Sequence, residues 1–303
     1  MKAILIVPTY NGGNLWRQVS SVISKQQNDC EYILTVDSSS DDDSRETSRN
    51  NGFKIIKIDK KEFNHGGTRN LAINVAHDDI DIAIFLTQDA IPEDKYISKI
   101  VSSFDDPNVA VAYGRQLPHD NANPIAKHAR MFNYGKKSYT LGLSDKQKYG
   151  IKTVFTSNSF SAYRIKVFKE LEGFPSNTIL SEDMYLAAKA VLAGYKVAYV
   201  AEAAVKHSHN YTPIEEFKRY FDIGVFHHDE KWIRESFGGA GGEGKKFIVS
   251  ELISLLKENP SWIPRACLHN ALKLLGYKLG QNYKKIPSKY IKKLSMHKRY
   301  WDE

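Results

Sequence analysis

The chain has 303 residues, of which 42% are hydrophobic, enough for one large globular domain or two small ones. No apolar run approaches the roughly 20 residues that a membrane-spanning helix needs, so no transmembrane segment is predicted. The two cysteines, Cys30 and Cys267, are too far apart in the sequence to indicate a disulfide framework. A reducing, cytoplasmic location is therefore expected.

The net charge of +8 is unevenly distributed along the chain. Residues 245–303 contain 13 Lys and Arg against 4 Asp and Glu, a net charge of +9, so residues 1–244 carry −1. Such a basic segment can bind nucleic acid, contact an anionic membrane or simply be solvated. Nucleic acid is disfavoured, because the first 244 residues are nearly neutral and no base-reading motif is present.

Short apolar runs alternate with helical patterns along the first part of the chain. Strands are predicted at residues 3–7, 31–36, 53–58, 82–86 and 109–113. Helices are predicted at residues 15–23 and 71–76. This alternation is typical of βαβ units and predicts an α/β fold with a mostly parallel central sheet.

Polar residues follow these apolar strands at the point where each strand ends. The first strand ends in Pro8-Thr9-Tyr10, the second ends at Asp37, and the very apolar residues 82–86 lead to Asp89. Ligands bind outside the carboxyl ends of strands in open α/β sheets, so these side chains are predicted to line one site. A single aspartate after a strand more often caps a turn or a helix. The stronger signal is that polar residues follow three of the predicted strands in this order.

The loops between the strands exclude two common nucleotide-binding motifs. Residues 10–14 read Tyr-Asn-Gly-Gly-Asn, which lacks the three-glycine fingerprint of dinucleotide-binding enzymes, and no phosphate-loop Gly-Lys-Ser/Thr occurs. Gly66-Gly67-Thr68-Arg69 instead places backbone amides and a guanidinium at the start of a helix. That arrangement suits a diphosphate.

Taken in order, the motifs resemble those of inverting glycosyltransferases of family 2, which have a GT-A fold. The resemblance covers about residues 3–230. It is carried by Val7-Pro8-Thr9-Tyr10-Asn11, Asp37 with Ser40-Asp41, Gly67-Thr68-Arg69-Asn70, Gln88-Asp89, residues 157–164, Gly173-Phe174, Ser181-Glu182-Asp183, Gly194-Tyr195-Lys196-Val197 and Val205-Lys206-His207.

A finer resemblance is to bacterial rhamnosyltransferases of that family. It is carried by residues 63–70, 87–90, 205–209 and 219–222. It implies transfer of L-rhamnose from dTDP-β-L-rhamnose to a saccharide acceptor, which a lipid can carry, in O-antigen, capsule or cell-wall synthesis. Two alternatives stay open: the same fold using a UDP-sugar, and a non-catalytic protein that binds nucleotide sugars or acts as a membrane adaptor.

The resemblance also implies a division of the chain. Residues 1–235 would form the GT-A catalytic domain, with a nucleotide-sugar half at about 1–115 and an acceptor half at about 116–235. Residues 236–303 would form a glycine-rich loop and a basic helical C-terminal extension. Residues 237–244 are flexible enough to be a lid over the site or only a linker.

At the nucleotide sugar, the resemblance assigns several roles. Asp37 would accept the imide N–H of the base, and Arg69 would contact the diphosphate. The full set is Pro8, Thr9, Tyr10, Asp37, Asp41, Gly67, Arg69, Gln88 and Asp89. Asp42 and Asp43 are explained at least as well by a helix start, where acidic residues are favoured.

The resemblance implies a divalent cation, Mg²⁺ or Mn²⁺, held by Asp89 and His207. The chain departs from the usual Asp-x-Asp motif, because Thr87 occupies the first acidic position. A cation here would need diphosphate oxygens and waters to complete its ligands, so tight binding without the donor is not expected. His209 matches the pattern less well and is interpreted as structural.

Asp183 is the predicted general base, with Glu182 as its catalytic partner. Displacement at an anomeric carbon requires the acceptor hydroxyl to lose its proton, and a carboxylate opposite the leaving group can take it. The alternative role of Ser181-Glu182-Asp183 is to cap a helix. Contacts with the acceptor or the sugar are assigned to Asn158, Arg219 and His228.

The basic end of the chain has two interpretations that the sequence supports equally. After Pro287, a helix would have an apolar face bordered by basic residues. The face comprises Tyr290, Ile291, Leu294 and Trp301, and the border comprises Lys289, Lys292, Lys293, Lys298 and Arg299. The face could lie on an anionic membrane, with the protein peripheral on the cytoplasmic face of the inner membrane, or dock on the protein's own core.

Overall fold

The computed structural model describes residues 1–239 and 241–302. The strands are β1 (Ala3–Thr9), β2 (Tyr32–Asp37), β3 (Lys54–Lys57), β4 (Ile82–Leu86), β5 (Ile91–Pro92), β6 (Val109–Leu117), β7 (Tyr139–Leu141), β8 (Phe160–Arg164) and β9 (Lys196–Lys206). The helices of the amino-terminal half are α1 (Gly13–Ser24), α2 (Ser44–Asn50), α3 (His65–Asn74), α4 (Tyr96–Val101), α5 (Pro124–Asn133) and α6 (Lys146–Tyr149). The remaining helices are α7 (Ile165–Glu170), α8 (Glu182–Leu192), α9 (Pro213–Asp229), α10 (Lys231–Phe237), α11 (Gly241–Glu258), α12 (Ile263–Gln281) and α13 (Ser288–Leu294).

In the described part of the chain, the strands form one sheet in the order β3-β2-β1-β4-β8-β6-β9-β5, with β7 paired to β9. The first four of these strands are parallel, as the βαβ pattern predicts. Beyond β4 the sheet is mixed, because β8 runs antiparallel to both β4 and β6. Strands and helices continue to alternate after β6, and this alternation alone does not reveal that β8 runs in the opposite direction.

Apolar layers cover both faces of the sheet. Successive residues of β1 point to opposite faces, so Ile4 packs in one layer and Leu5 in the other. Trp16 of α1 belongs to the Leu5 layer, and Phe221 of α9 belongs to the Ile4 layer. Strands buried on both faces explain the continuous apolar runs in the sequence.

The C-terminal extension packs directly against the catalytic part of the chain. A Cβ atom on Gly276 of α12 would lie 2.3 Å from the carbonyl oxygen of Phe217, and one on Gly280 would lie 2.0 Å from that of Phe221. Glycine is therefore required for the backbones of α9 and α12 to approach this closely. The glycine-rich stretch contains Ala240, which lies outside the described residues, and its last part forms the start of α11 rather than a loop.

The residues after Pro287 do not form one continuous amphipathic helix. The helix α13 ends at Leu294, and the buried carboxylate of Asp222 then accepts the backbone N–H groups of Met296 and His297 at 2.9 and 3.0 Å. Ile291 is buried in the core layer of α9, and Trp301 packs against that layer. Three of the four apolar residues thus pack on the core, as the docking interpretation predicts, whereas Tyr290 is exposed. Membrane binding by this segment stays a prediction.

None of the helices in the described ranges is both long and apolar enough to cross a bilayer.

Candidate active site

The sheet brings the predicted residues to one edge. The parallel strands β1, β2 and β4 end there with Thr9, Asp37 and the loop to Asp89. Because β8 runs antiparallel to β4, its first residue lies beside Leu86, which places the residues before β8 at the same edge. The carboxyl ends of β6 and β9, which pair in parallel, complete the edge.

Asp37 lies fully buried at the end of β2. Its carboxylate accepts hydrogen bonds from the hydroxyls of Thr9 at 3.1 Å and Ser40 at 2.6 Å, and from the Ser40 backbone N–H at 2.9 Å. The predicted neighbours Thr9 and Asp37 therefore do meet. Asp41 is exposed beside them, and its predicted contact with the nucleotide stays a prediction.

Gln88 clamps the loop after β1 to the end of β4. Its side-chain oxygen accepts the N–H of Tyr10 at 2.8 Å, and its amide group donates to the carbonyl oxygen of Tyr10 at 3.0 Å. Sequence reasoning missed Lys60, whose ammonium group bonds the Tyr10 hydroxyl and lies 4.6 Å from the centre of its ring. Gln88 thus orients Tyr10, which follows Pro8 and Thr9 on this side of the site.

The glycines at the start of α3 do not offer free amides to a diphosphate. The side-chain oxygen of Asn64 accepts the N–H groups of Gly66 and Gly67 at 3.0 and 2.9 Å. This is the ordinary role of an asparagine N-cap, so the binding role predicted for Gly67 is not supported. Gly66 is needed for packing, because a Cβ atom there would lie 2.0 Å from the carbonyl oxygen of Pro175.

Arg69 and Glu182 form a buried ion pair between α3 and α8. The guanidinium Nη1 lies 3.2 Å from a Glu182 carboxylate oxygen, and both side chains are 6% exposed. Nη1 also donates to the carbonyl oxygen of His65 at 2.8 Å. Removing one partner of such a pair leaves a buried charge and typically costs about 3–5 kcal/mol. The guanidinium of Arg69 is already paired with Glu182, and the structure does not show it facing a diphosphate. The predicted diphosphate contact therefore stays a prediction.

Asn158 organises the two acidic residues rather than facing an acceptor. Its amide group donates to Glu182 at 2.8 Å, and its backbone N–H donates to Asp183 at 2.9 Å. Its side-chain oxygen accepts the hydroxyls of Ser161 and Tyr163 at 2.7 and 2.8 Å. Because every polar atom of this buried side chain is engaged, the sugar-binding role predicted for Asn158 is not supported.

Of the two adjacent acidic residues, Glu182 is buried and Asp183 remains partly exposed. Burial against the surrounding protein and the charge of Glu182 raise the pKa of Asp183 to about 7. The pKa of Glu182 is instead lowered, because the charges of Arg69 and His65 outweigh the effect of burial. The two adjacent carboxyl groups thus have different pKa values, and Asp183 is the one suited to exchange a proton near neutral pH.

Asp89, His207 and His209 form a cluster that could hold a metal ion. The nearest Asp89 oxygen lies 3.5 Å from Nε2 of His207 and 3.7 Å from Nε2 of His209. One ligand atom from each of the three lies within 4.8 Å of the others. Burial and the neighbouring His207 lower the pKa of His209 to about 4, so its ring is neutral at pH 7, the form that binds metals.

Gln116 fixes the orientation of His207. Its side-chain oxygen accepts from Arg130 at 2.8 Å, and the same oxygen lies 3.0 Å from Nδ1 of His207. Nδ1 therefore carries a proton, and Nε2 is the ring nitrogen that lies 3.5 Å from the carboxylate of Asp89. Two imidazole nitrogens and one carboxylate converge here, a set of ligands that fits a divalent cation.

Arg219 and His228, both predicted to contact the acceptor, lie in different parts of the structure. Arg219 lies 5.9 Å from the Tyr211 ring, which packs 5.0 Å from the ring of His209, so Arg219 borders the metal cluster. His228 accompanies it on α9 but lies about 13 Å further along and on the opposite face. There it contacts the carbonyl oxygen of Gln281 at 2.8 Å, so an acceptor contact by His228 is not supported.

The C-terminal segment reaches the same edge of the sheet. The rings of His65 and His297 lie 5.0 Å apart, with Nε2 of His65 3.4 Å from Nδ1 of His297. Arg299 donates to the carbonyl oxygen of Lys60 at 3.0 Å. The segment thus contacts both the helix that carries Arg69 and Lys60, whose ammonium group bonds the Tyr10 hydroxyl.

Comparisons with known proteins show what the chain is similar to. The sequence model described as "Glycosyl transferase family 2" matches residues 4–172. The O-antigen chain rhamnosyltransferase RfbN of Salmonella typhimurium is 54% identical over 100% of this chain and 96% of its own length. WbaN of Salmonella anatum, with the same description, is 53% identical over 98% of this chain and 95% of its own length.

Solved structures show the same fold at low sequence identity. The mannosyltransferase PcManGT from Pyrobaculum calidifontis, in complex with GDP-Man and Mn²⁺, has a TM-score of 0.59 at 18% identity and covers 99% of this chain and 85% of its own. TarS residues 1–349 of S. aureus, in complex with UDP-GlcNAc, has a TM-score of 0.55 at 16% identity and covers 94% of this chain and 92% of its own. The predicted GT-A fold and the resemblance to rhamnosyltransferases are confirmed.

Proposed function

Because the chain belongs to glycosyl transferase family 2, we propose that it transfers L-rhamnose from dTDP-β-L-rhamnose to a saccharide acceptor in O-antigen chain synthesis. It is a glycosyltransferase. The observation that carries the proposal is a cation-binding cluster and a partly exposed carboxylate of raised pKa at one sheet edge. A non-catalytic adaptor would need neither, so that alternative is not favoured.

The reaction forms one bond at the anomeric carbon while another breaks. The acceptor oxygen attacks opposite the nucleoside diphosphate, the bond to the diphosphate oxygen breaks, and a β-linked donor gives an α-linked product. Asp183 takes the proton of the acceptor hydroxyl during this step. The backbone N–H of Asn158 holds the Asp183 carboxylate in place, and the Asn158 side chain bonds Glu182. We assign the acceptor contact to Arg219, whose side chain is 42% exposed and lies 3.7 Å from Glu216.

The cation would be held by Asp89, His207 and His209. When bound, it neutralises the charge of the departing diphosphate, which makes the nucleotide a better leaving group. Two imidazole nitrogens and one carboxylate suit Mn²⁺ better than Mg²⁺, which prefers oxygen ligands throughout. We therefore propose Mn²⁺ as the preferred ion.

The nucleotide preference is the test of the proposed donor. Purified enzyme with a lipid-carried saccharide acceptor is given dTDP-rhamnose, a UDP-sugar or GDP-mannose, and the released nucleoside diphosphate is measured. We expect kcat/KM for dTDP-rhamnose to exceed the others by about a hundredfold, since a site built for one donor leaves polar groups unpaired with another. Faster turnover of a UDP-sugar would establish the alternative donor, and release from none of them would contradict the function.

Replacing His209 tests the third metal ligand. We expect His209→Ala to weaken Mn²⁺ binding in the presence of dTDP by about tenfold or more, measured by calorimetry or electron paramagnetic resonance. His77→Ala, which removes an exposed histidine from the loop after α3, is the matched control and should not change the affinity. An unchanged Mn²⁺ affinity with a lowered unfolding temperature would show that His209 is only structural.

A further inference from the structure

Gln116 lies between the two halves of the site. It is the next-to-last residue of β6 and is 1% exposed. In the sheet β6 has β8 on one side and β9 on the other. His207 directly follows β9, and residues 157–159, which we call the base loop, directly precede β8. A side chain at the end of β6 can therefore reach both the metal cluster and the base loop.

The contacts of Gln116 fix which way its amide group points. A guanidinium only donates hydrogen bonds, so the Gln116 atom that lies 2.8 Å from Nη1 of Arg130 is the oxygen. The same oxygen lies 3.0 Å from Nδ1 of His207. The amide nitrogen therefore points the other way, and it donates to the hydroxyl of Ser157 at 2.9 Å. One end of the amide thus holds a residue of the metal cluster, and the other end holds the base loop.

The base loop leads directly to the predicted general base. Ser157 is followed by Asn158, whose backbone N–H donates to the Asp183 carboxylate at 2.9 Å. The Asn158 side chain is 4% exposed and donates to Glu182 at 2.8 Å. Because Ser157 and Asn158 share a peptide bond, a shift of Ser157 also moves the N–H group that holds Asp183. Gln116 is thus linked to the general base by two hydrogen bonds and one short piece of backbone.

The distance between the metal cluster and Asp183 matters for the proposed reaction. The acceptor oxygen attacks opposite the bond to the diphosphate, so the base and the leaving group lie on opposite sides of one carbon atom. Misplacing reacting groups by about 1 Å can lower a rate by about 10²-fold. Removing a side chain that orients a metal-binding histidine typically lowers metal affinity or activity by about 10–100-fold. A residue that contacts both halves of the site is suited to fixing this distance.

We propose that Gln116 is a positioning residue that fixes the distance between the metal cluster and the general base. It holds His207 directly, and it holds the N–H group bonded to Asp183 through Ser157. The inference rests on the proposed function, in which the metal cluster and Asp183 act on opposite sides of the anomeric carbon. In this role Gln116 touches neither the donor nor the acceptor, and it acts only through the residues that it holds.

Manganese affinity tests the contact with His207 and needs no sugar donor or acceptor. Mn²⁺ binding in the presence of dTDP is measured by electron paramagnetic resonance. Gln116→Met removes both polar atoms and should weaken Mn²⁺ binding by about tenfold or more. Gln116→Glu keeps an oxygen for His207 and Arg130 and should bind Mn²⁺ as tightly as the wild type. Gln147→Met, which replaces an exposed glutamine of α6, is the matched control and should change nothing.

The turnover of a double variant tests the connection between the two halves. At saturating Mn²⁺, Gln116→Met should lower kcat by about 10²-fold. Ser157→Ala should lower kcat by about tenfold or more while leaving the Mn²⁺ affinity unchanged, because it breaks only the contact with the base loop. If both residues act through one connection, then Gln116→Met/Ser157→Ala should be no slower than Gln116→Met alone.

The unfolding temperature of each variant is measured beside these constants. Wild-type Mn²⁺ affinity and kcat in Gln116→Met would overturn the proposal. So would losses of kcat that multiply in the double variant, since the two residues would then act independently. If Gln116→Met does not fold, Ser157→Ala decides, and a wild-type kcat in that variant overturns the proposal. A failure of the proposed function is seen separately, in a wild type that binds no Mn²⁺ or releases no dTDP from dTDP-rhamnose.

Discussion

Asp183→Asn is expected to lower kcat by about 10²–10⁴-fold while leaving the affinity for dTDP unchanged, since the substitution removes only the group that accepts the proton. Transfer is measured as released dTDP, and nucleotide binding is measured by calorimetry on the same preparation. Asparagine keeps the size of the side chain. Asp183 is therefore a cleaner target than Glu182, whose replacement would leave Arg69 buried without its partner.

The dependence on pH gives this prediction a second readout. The pKa of Asp183 is raised to about 7, and the base is active only when deprotonated. In the wild type, kcat should therefore fall as the pH drops below about 7 and level off above it. The residual kcat of Asp183→Asn should not show this fall at low pH. If the variant turns over nearly as fast as the wild type, or if its kcat falls below pH 7 in the same way, then another group takes the proton of the acceptor hydroxyl.

Asp89→Ala is expected to abolish Mn²⁺-dependent binding of dTDP and to lower kcat/KM by about a hundredfold or more. The carboxylate is the anionic member of the cluster, so its loss leaves only the two imidazole rings to hold a divalent cation. Manganese affinity, nucleotide affinity with and without chelator, and transfer are measured together. Asp94→Ala, which removes an exposed carboxylate between β5 and α4, is the matched control and should behave as the wild type.

The outcome with chelator is informative on its own. If the wild type keeps full activity in excess chelator, then the cluster does not use a metal, and a different cation must balance the diphosphate. Arg69 would then be the first residue to consider, although its pairing with Glu182 would have to open. If Asp89→Ala loses activity but retains Mn²⁺ affinity, then His207 and His209 hold the ion and the carboxylate has another role.

The part of the site that the sequence predicted correctly consists of strand ends. A strand buried on both faces has a visible apolar run, and the residue after it must lie at the sheet edge. Thr9, Asp37 and Asp89 could be placed together for that reason. The position of His209 beside Asp89 had a visible signal in the sequence. In an extended segment, His207 and His209 are two residues apart and point to the same side, so both can reach Asp89.

Other features could not be predicted because they depend on distant parts of the chain. Asn64 before two glycines was a recognisable helix cap, but the close approach of Gly66 to Pro175 was not recognisable. Likewise, the pairing of Arg69 with Glu182 follows from how α3 and α8 pack, which local pattern does not encode. The contact between His65 and His297 joins residues that are 232 positions apart.

The contact between His65 and His297 also bears on the order in which the enzyme is made. The ribosome releases the residues of β1 to β4 early, and these can form their parallel sheet while synthesis continues. The ring of His297, which supports the start of α3, emerges 232 residues after His65, and Arg299 follows it. A nascent chain that has not reached His297 thus already holds Thr9, Asp37, Asp89 and Asp183 without the contact that supports the start of α3.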